Sequence, residues 1–306
     1  LILKRNSFYL GIFYTCLASV FWGMPQPLFF HAINYVPPFE VALHRGLWSF
    51  IFLFFILLTL TKLDNFYSIF HSPKKLIILS TTAILISINW TGFIYAVSIN
   101  KVQDASMGYF ITPMISICLG YLFINEKITY LKILSVFLMF CSIIFLFITI
   151  KSFPYIALII GTTWGIYGLL RKKISVPPAT GLLYECFIIT LLSFPYLLYI
   201  FINKTGFFLN YNSFTSTLLV LTGVVTIFPL FFFNLGLKKI PLGLTGVLFY
   251  LAPTFHFITS IFILNEKLEI NKLIAFIIIW LAIIIFIYDV LTNENKINEN
   301  NTQLLN

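Results

Sequence analysis

Ten apolar stretches, each about as long as a helix that crosses a bilayer, restrict this chain more than any other feature. A helix rises about 1.5 Å per residue, so roughly 30 Å of hydrocarbon takes about 20 apolar residues. Ten such runs occupy residues 7–30, 39–60, 75–98, 104–123, 130–149, 153–170, 178–202, 214–237, 242–264 and 270–290. The connections between them are short, so consecutive helices are expected to pack antiparallel. Composition points the same way. Hydrophobic residues make up 60% of the chain, charged residues 9%, and the mean hydropathy is +0.99, whereas a soluble domain carries about 25% charged residues. A chain of 306 residues could not hide that much apolar surface from water. The expected fold is an all-α polytopic membrane protein, with lipid as the solvent for most of it.

The net charge of +9 does not imply nucleic acid, because the basic residues are scattered singly or in threes between apolar runs and form no stripe for a phosphate backbone. Their distribution instead sets orientation. With the N-terminus in the cytoplasm, thirteen Lys and Arg fall in inside segments and five in outside segments, with Arg45 inside a span. That bias favours both termini cytoplasmic and an even number of spans. The polar tail 291–306 has nothing to pack against and is expected to be disordered. Cys16, Cys118, Cys141 and Cys186 all lie in apolar runs, with no CxxC or Cys/His spacing, and read as packing residues. No signal peptide stands apart from the first run. No metal and no cofactor are expected.

The chain also repeats its punctuation. Residues 123–128 read FINEKI and residues 263–268 read ILNEKL, and in both the Glu lies thirteen positions after a proline. A shift of 140 residues places Pro113 on Pro253 and Asn125-Glu126-Lys127 on Asn265-Glu266-Lys267, and it brings Trp22-Gly23 within two places of Trp164-Gly165. The chain therefore reads as five helices written twice, with domains 1–150 and 151–290. Five is odd, so the second copy enters the membrane from the opposite side. Inverted repeats of this kind recur in secondary transporters.

Several stretches resemble a known family: INWTGFIYAVSINKVQDASMGYFITPM (residues 88–114), VALHRGLWSF (41–50), YGLLRKKI (167–174) and TGLLYE (180–185). They are similar to RarD-type proteins of the EamA group in the drug/metabolite transporter superfamily, and the resemblance runs from about residue 7 to 290. It implies ten transmembrane helices in two inverted five-helix repeats, both termini cytoplasmic, and a central cavity lined mainly by the first four helices of each half. It implies a multi-pass protein of the bacterial inner membrane. Relatives in the superfamily export amino acids, including aromatic ones, so the resemblance fixes the class and leaves the solute open.

Charges within lipid are costly, about 2.5–3.5 kcal/mol at a helix centre on insertion scales, and they mark pathways by default. Arg45 and Glu185 lie well inside spans, with His44, His256, Asn89 and Trp90 also at depth. Arg45 and Glu185 are 140 apart and occupy matching places in the two halves. Inverted topology sets them on the order of 12 Å apart in height, so each is expected to polarise its own side of the cavity. Arg45 would serve a carboxylate or other anion, and Glu185 an amino group or a proton; a direct pair stays open. Pro113 and Pro253 free backbone carbonyls and allow bends. With Glu126 and Glu266 at the helix ends they form the expected gates, although these glutamates also suit plain helix junctions. Tyr109 and Tyr250 beside the prolines, with Trp22, Trp90, Tyr95 and Trp164, supply an apolar, stacking-capable wall.

The leading function is therefore a secondary-active or facilitative transporter, an exporter of small amphipathic metabolites such as amino acids or drug-like solutes. No phosphate-binding GxxxxGKS loop occurs, so the chain does not hydrolyse ATP. The expected partners are the solute, protons as the coupling ion, the lipid bilayer, and a second copy in a homodimer. The alternatives are an intramembrane enzyme, for which no paired catalytic groups are found, and a non-transporting scaffold or sensor, which leaves the repeat unexplained.

Overall fold

The structure, a computed structural model, describes residues 2–60, 63–98, 102–150, 155–263 and 270–303. Every regular element among them is a helix. The first half holds α1 (Ile2–Gly23), α2 (Pro25–His31), α3 (Pro38–Thr59), α4 (Asp64–Phe70), α5 (Pro73–Ser98), α6 (Val102–Ile124) and α7 (Tyr130–Ile150). The second holds α8 (Tyr155–Lys173), α9 (Pro178–Ile202), α10 (Ser213–Leu237), α11 (Leu242–Leu248), α12 (Leu251–Phe262) and α13 (Ile270–Gln303). Eight segments are long and apolar enough to cross a membrane: Asn6–His31, Pro38–Thr59, Pro73–Ala96, Tyr130–Thr149, Pro178–Ile202, Ser213–Leu237, Leu242–Thr259 and Leu273–Thr292. Gly108–Ile124 is a shorter apolar helix. The helix α8 is not among the eight; its run of Gly and Thr ends in Arg171-Lys172-Lys173, which lowers its hydropathy.

Local sequence sets the helix starts. Proline occupies the first turn of α2, α3 and α9, where its missing N–H would have no intrahelical partner anyway. The Asn212 side chain accepts the Thr215 N–H at 2.7 Å and caps α10. Pro25 also divides the first apolar run into α1 and α2, and the ninth breaks at Phe249-Tyr250 just before Pro253. Pro113, by contrast, sits inside an unbroken α6. The expected disordered tail, 291–306, is instead helical as far as Gln303. Neither Gly nor Pro follows Val290 in the sequence, so no stop signal ends α13 where its apolar run does.

Glycines let the bundle close. The helix α6 packs on α8 and α11, α5 on α8 and α9, α3 on α9 and α10, α1 on α10 and α12, and α7 on α13. A β-carbon on Gly161 would lie 2.8 Å from the Gly108 carbonyl oxygen, and one on Gly165 would lie 2.5 Å from Ile115 Cγ2. Gly161 and Gly165 are spaced as GxxxG, the small-residue pattern that brings membrane helices together.

Candidate functional site

At the centre of the bundle is a narrow cavity of about 20 Å3, roughly the space of one water. Trp22 and Gln26 reach it from the α1–α2 break, Arg45 from α3, and Asn89, Trp90 and Phe93 from α5. Tyr109 of α6, Trp164 of α8 and Phe249 at the α11–α12 break close it. The rings hold one another: Trp22 and Trp164 centroids are 5.2 Å apart edge to face, Trp164 and Phe249 are 5.6 Å apart, and Tyr109 and Phe249 are 5.5 Å apart. Each such pair contributes about 0.5–1.5 kcal/mol beyond area burial, so the wall is organised before any solute arrives.

Arg45 is the charged side chain of this wall. Its Nε donates to Thr226 Oγ1 of α10 at 3.0 Å, and its guanidinium lies 4.5 Å from the Trp90 ring centroid and 4.8 Å from that of Phe30. Asn89 donates from Nδ2 to the Ile160 carbonyl at 2.9 Å and to Thr163 Oγ1 at 3.2 Å, tying α5 to α8. Gln26 Nε2 and Trp164 Nε1 are buried with no hydrogen-bond partner.

Six of the expected cavity residues thus meet here: Trp22, Arg45, Asn89, Trp90, Tyr109 and Trp164. The other five do not line it. His256 stands behind the wall, where its Nε2 meets the Trp22 carbonyl at 2.8 Å and its ring stacks on Phe93. Tyr250 donates its hydroxyl to the Phe110 carbonyl at 2.7 Å and is buried. Tyr95 lies on the exposed face of α5. His44 sits at the start of α3, where Nδ1 accepts the Trp48 N–H at 3.2 Å and Nε2 is 3.9 Å from Glu40 Oε1. Glu40 in turn accepts the backbone N–H groups of Phe207 and Phe208, so this cluster fastens the α9–α10 connection.

Glu185 belongs to a different site. It pairs with Arg171, whose Nε is 3.6 Å from Glu185 Oε1, and both side chains are fully buried. Arg171 also donates to Asn234 Oδ1 at 2.9 Å and to the Pro178 carbonyl at 3.0 Å. Tyr167 donates to Glu185 Oε2 at 3.3 Å and accepts from Asn234 Nδ2 at 2.9 Å. The network joins α8, α9 and α10. Arg45 and Glu185 therefore do not pair with each other; each is held by its own neighbours. The sixth apolar run ends at residue 170, one short of Arg171, whereas α8 continues to Lys173 and takes Arg171 into the helix.

The gate residues acquire a geometry too. Asn125 has φ 57° and turns the chain in the left-handed region that Asn tolerates, ending α6. The next residue, Glu126, returns its N–H to the Gly120 carbonyl at 3.1 Å. Its carboxylate accepts the N–H groups of Leu242 at 2.5 Å and Gly243 at 3.1 Å, the first two residues of α11, where a negative charge is favoured. Pro113 lies against α11 as well, since a β-carbon on Gly246 would come within 3.1 Å of its Cα. Pro253 sits in the first turn of α12. Glu266 lies outside the described residues.

Gln26 and Phe93 line the cavity without having been singled out as site residues, and Phe249 joins them from the aromatic pair before Pro253 that the sequence marked as cavity wall. Each left a signal: Gln26 is a polar side chain between two prolines in an apolar run, Phe93 follows Asn89 by one helical turn, and Phe249 is the 140-residue counterpart of Tyr109.

A helical membrane bundle with broken helices around a central, mostly aromatic cavity has the architecture of a solute transporter. The EamA-like transporter family matches twice, over residues 9–148 and 153–288. The uncharacterized transporter YojE of Bacillus subtilis (strain 168) is 34% identical over 91% of this chain and 93% of its own. The protein RarD of Escherichia coli (strain K12) is 32% identical over 94% of this chain and 96% of its own. The chloramphenicol-sensitive protein RarD of Pseudomonas aeruginosa is 23% identical over 91% of this chain and 94% of its own. A solved crystal structure shares the fold with a TM-score of 0.66 at 15% identity, covering 92% of this chain and 96% of the other. The chain belongs to the EamA-like transporter family. It is a multi-pass bacterial membrane protein and not an enzyme.

Proposed function

We propose that the chain is an alternating-access exporter of small amphipathic solutes, secondary-active or facilitative. It comprises ten spans in two inverted five-helix repeats with both termini cytoplasmic. In this arrangement α1 and α2 form one span and α11 and α12 another. The observation that carries the reading is that residues about 140 apart meet one another. Tyr109 contacts Phe249 at 5.5 Å, Phe110 contacts Tyr250 at 5.9 Å, and Trp22 contacts Trp164 at 5.2 Å. Equivalent residues touch each other only close to a twofold axis. Helix packing supports the same axis. Exchanging the halves turns α1 on α10 into α8 on α5, α3 on α10 into α9 on α5, and α1 on α12 into α8 on α6. It returns α3–α9, α6–α11 and α7–α13 to themselves, and all of these contacts occur. The double family match gives further support.

The halves differ where alternating access needs them to differ. The α1–α12 partners are both broken helices beside the cavity, while the matching α8 and α6 are continuous. Solute entry then requires the cavity to widen by hinging at these breaks. Two measurements test the proposal. Accessibility labelling of cysteines added at each terminus should place both on the cytoplasmic side, and proteoliposomes should show saturable solute flux. Termini on opposite sides would end the inverted-repeat reading, and a sealed vesicle that moves none of a broad solute panel would end the transport reading.

The Glu126 clamp on α11 serves as the cytoplasmic gate. Glu126→Gln keeps the shape but removes the charge that holds two helix N–H groups, a contribution of about 1 kcal/mol and roughly a fivefold change in the open fraction. In a background freed of its four native cysteines, a cysteine at Ser116, buried beside Gly246, should be labelled about that much faster from the cytoplasmic side. An unchanged rate would reduce Glu126 to a helix junction.

A further inference from the structure

We infer that the cavity selects a monoanionic solute, an organic carboxylate with a flat apolar body, over neutral, cationic and zwitterionic counterparts. This rests on the reading of the cavity as the solute site. Six aromatic rings line it, and an empty aromatic cage ordinarily attracts a cation. Here the cage already contains one. Arg45 lies over Trp90 and is fixed through Nε by Thr226. A guanidinium stacked in this way still matches a planar carboxylate edge to edge, in a fork that no ammonium can share.

The neutral polar groups add to the same sign. Gln26 Nε2 and Trp164 Nε1 are buried, line the cavity and lack partners. An unmet buried donor costs roughly 1–3 kcal/mol, which an incoming acceptor oxygen would recover. Asn89 spends its amide hydrogens on Ile160 and Thr163 and keeps only a neutral oxygen.

Nothing comparable receives a positive group. Among the described residues no acidic side chain lines the cavity. Glu185 is held by Arg171 and Tyr167, Glu126 by the start of α11, and Glu40 by Phe207 and Phe208. The amino group of an amino acid would therefore lose its hydration without gaining a counter-charge. Selection follows from that missing acid as much as from Arg45.

The test uses four probes with one skeleton at pH 7: 3-phenylpropionate, 3-phenylpropanamide, 3-phenylpropylamine and phenylalanine. Binding to the full chain in nanodiscs is read by tryptophan fluorescence, because Trp22, Trp90 and Trp164 line the cavity. Flux is read in proteoliposomes. The carboxylate should bind at least about tenfold tighter than each of the other three, a margin that one charge-assisted contact can supply. Arg45→Gln should erase the preference over the amide, and Arg45→Lys should keep part of it. Gln26→Leu leaves the guanidinium in place and should weaken the carboxylate without reversing the order. Equal or tighter binding of the amide, the amine or phenylalanine would overturn the inference, as would no binding of any probe. Carboxylate-selective binding without flux would instead defeat the transport reading and leave the selectivity standing.

Discussion

Arg171→Ala is expected to destabilise the folded chain by about 3–5 kcal/mol, the typical cost of removing one partner from a buried ion pair. Arg171 and Glu185 are each fully buried and 3.6 Å apart. Without the guanidinium, Glu185 loses its counter-charge and keeps only the Tyr167 and Thr82 hydroxyls beside it, and Asn234 Oδ1 and the Pro178 carbonyl lose their donor. Three helices then lose a common anchor. Glu185→Ala should cost a similar amount, since it strands the arginine. Replacing both, as Arg171→Met with Glu185→Leu, removes both charges and should recover most of the loss, because a buried pair contributes little net of its desolvation. Thermal unfolding in detergent measures all three. A shift below about 2 °C for Arg171→Ala would mean less than roughly 1 kcal/mol in a chain of this size and would refute the structural role. Glycine at 181 is bound to the same network, because a β-carbon there would run into the Arg171 guanidinium.

Gly161→Leu carries the second large effect. The would-be β-carbon is 2.8 Å from a backbone oxygen of Gly108 and 2.9 Å from Ile111 Cβ, so relief requires α6 to move off α8 as a body. Overpacking costs about 1–3 kcal/mol where side chains can adjust, and a backbone neighbour cannot rotate away, which places this change at the upper end. The separation also reaches the cavity. Asn89 binds the Ile160 carbonyl and Trp164 stands on the same helix three residues after Gly161. Gly161→Leu should therefore lower the melting temperature and abolish solute-induced tryptophan fluorescence changes together. Gly161→Ala should do the same to a smaller degree. Wild-type melting of the leucine variant would show that α6 and α8 do not rely on close backbone approach.

Much of this was legible without coordinates, for a local reason in each case. Spans are legible because the bilayer demands a fixed length of apolar helix, and eight of the ten apolar runs coincide with helices long and apolar enough to cross. Punctuation such as Asn125-Glu126 is legible because a left-handed turn restricts residue choice at one position, and the same residue pair stands at 265–266 in the sequence. Trp22 and Trp164, or Tyr109 and Phe249, could be matched by number alone. Glu126 could not be assigned its partners, since the N–H groups it holds lie 116 and 117 residues further along. His44, Tyr95, Glu185, Tyr250 and His256 looked like cavity residues because depth in the membrane can be counted along a sequence. The direction in which a side chain points around its helix axis cannot, when lipid and cavity faces are both apolar and the hydrophobic pattern gives no preferred side.

The sequence by itself therefore determined a membrane bundle and the family, because each depends on spacing measured along one strand of chain. Tertiary structure decided which buried charges are partners. Arg45 faces the cavity and Glu185 is held by Arg171, although counting residues made Arg45 and Glu185 counterparts. Ion pairing in lipid depends on a few ångströms between helices, and that distance is set by how glycines and rings let them pack, not by position in the sequence.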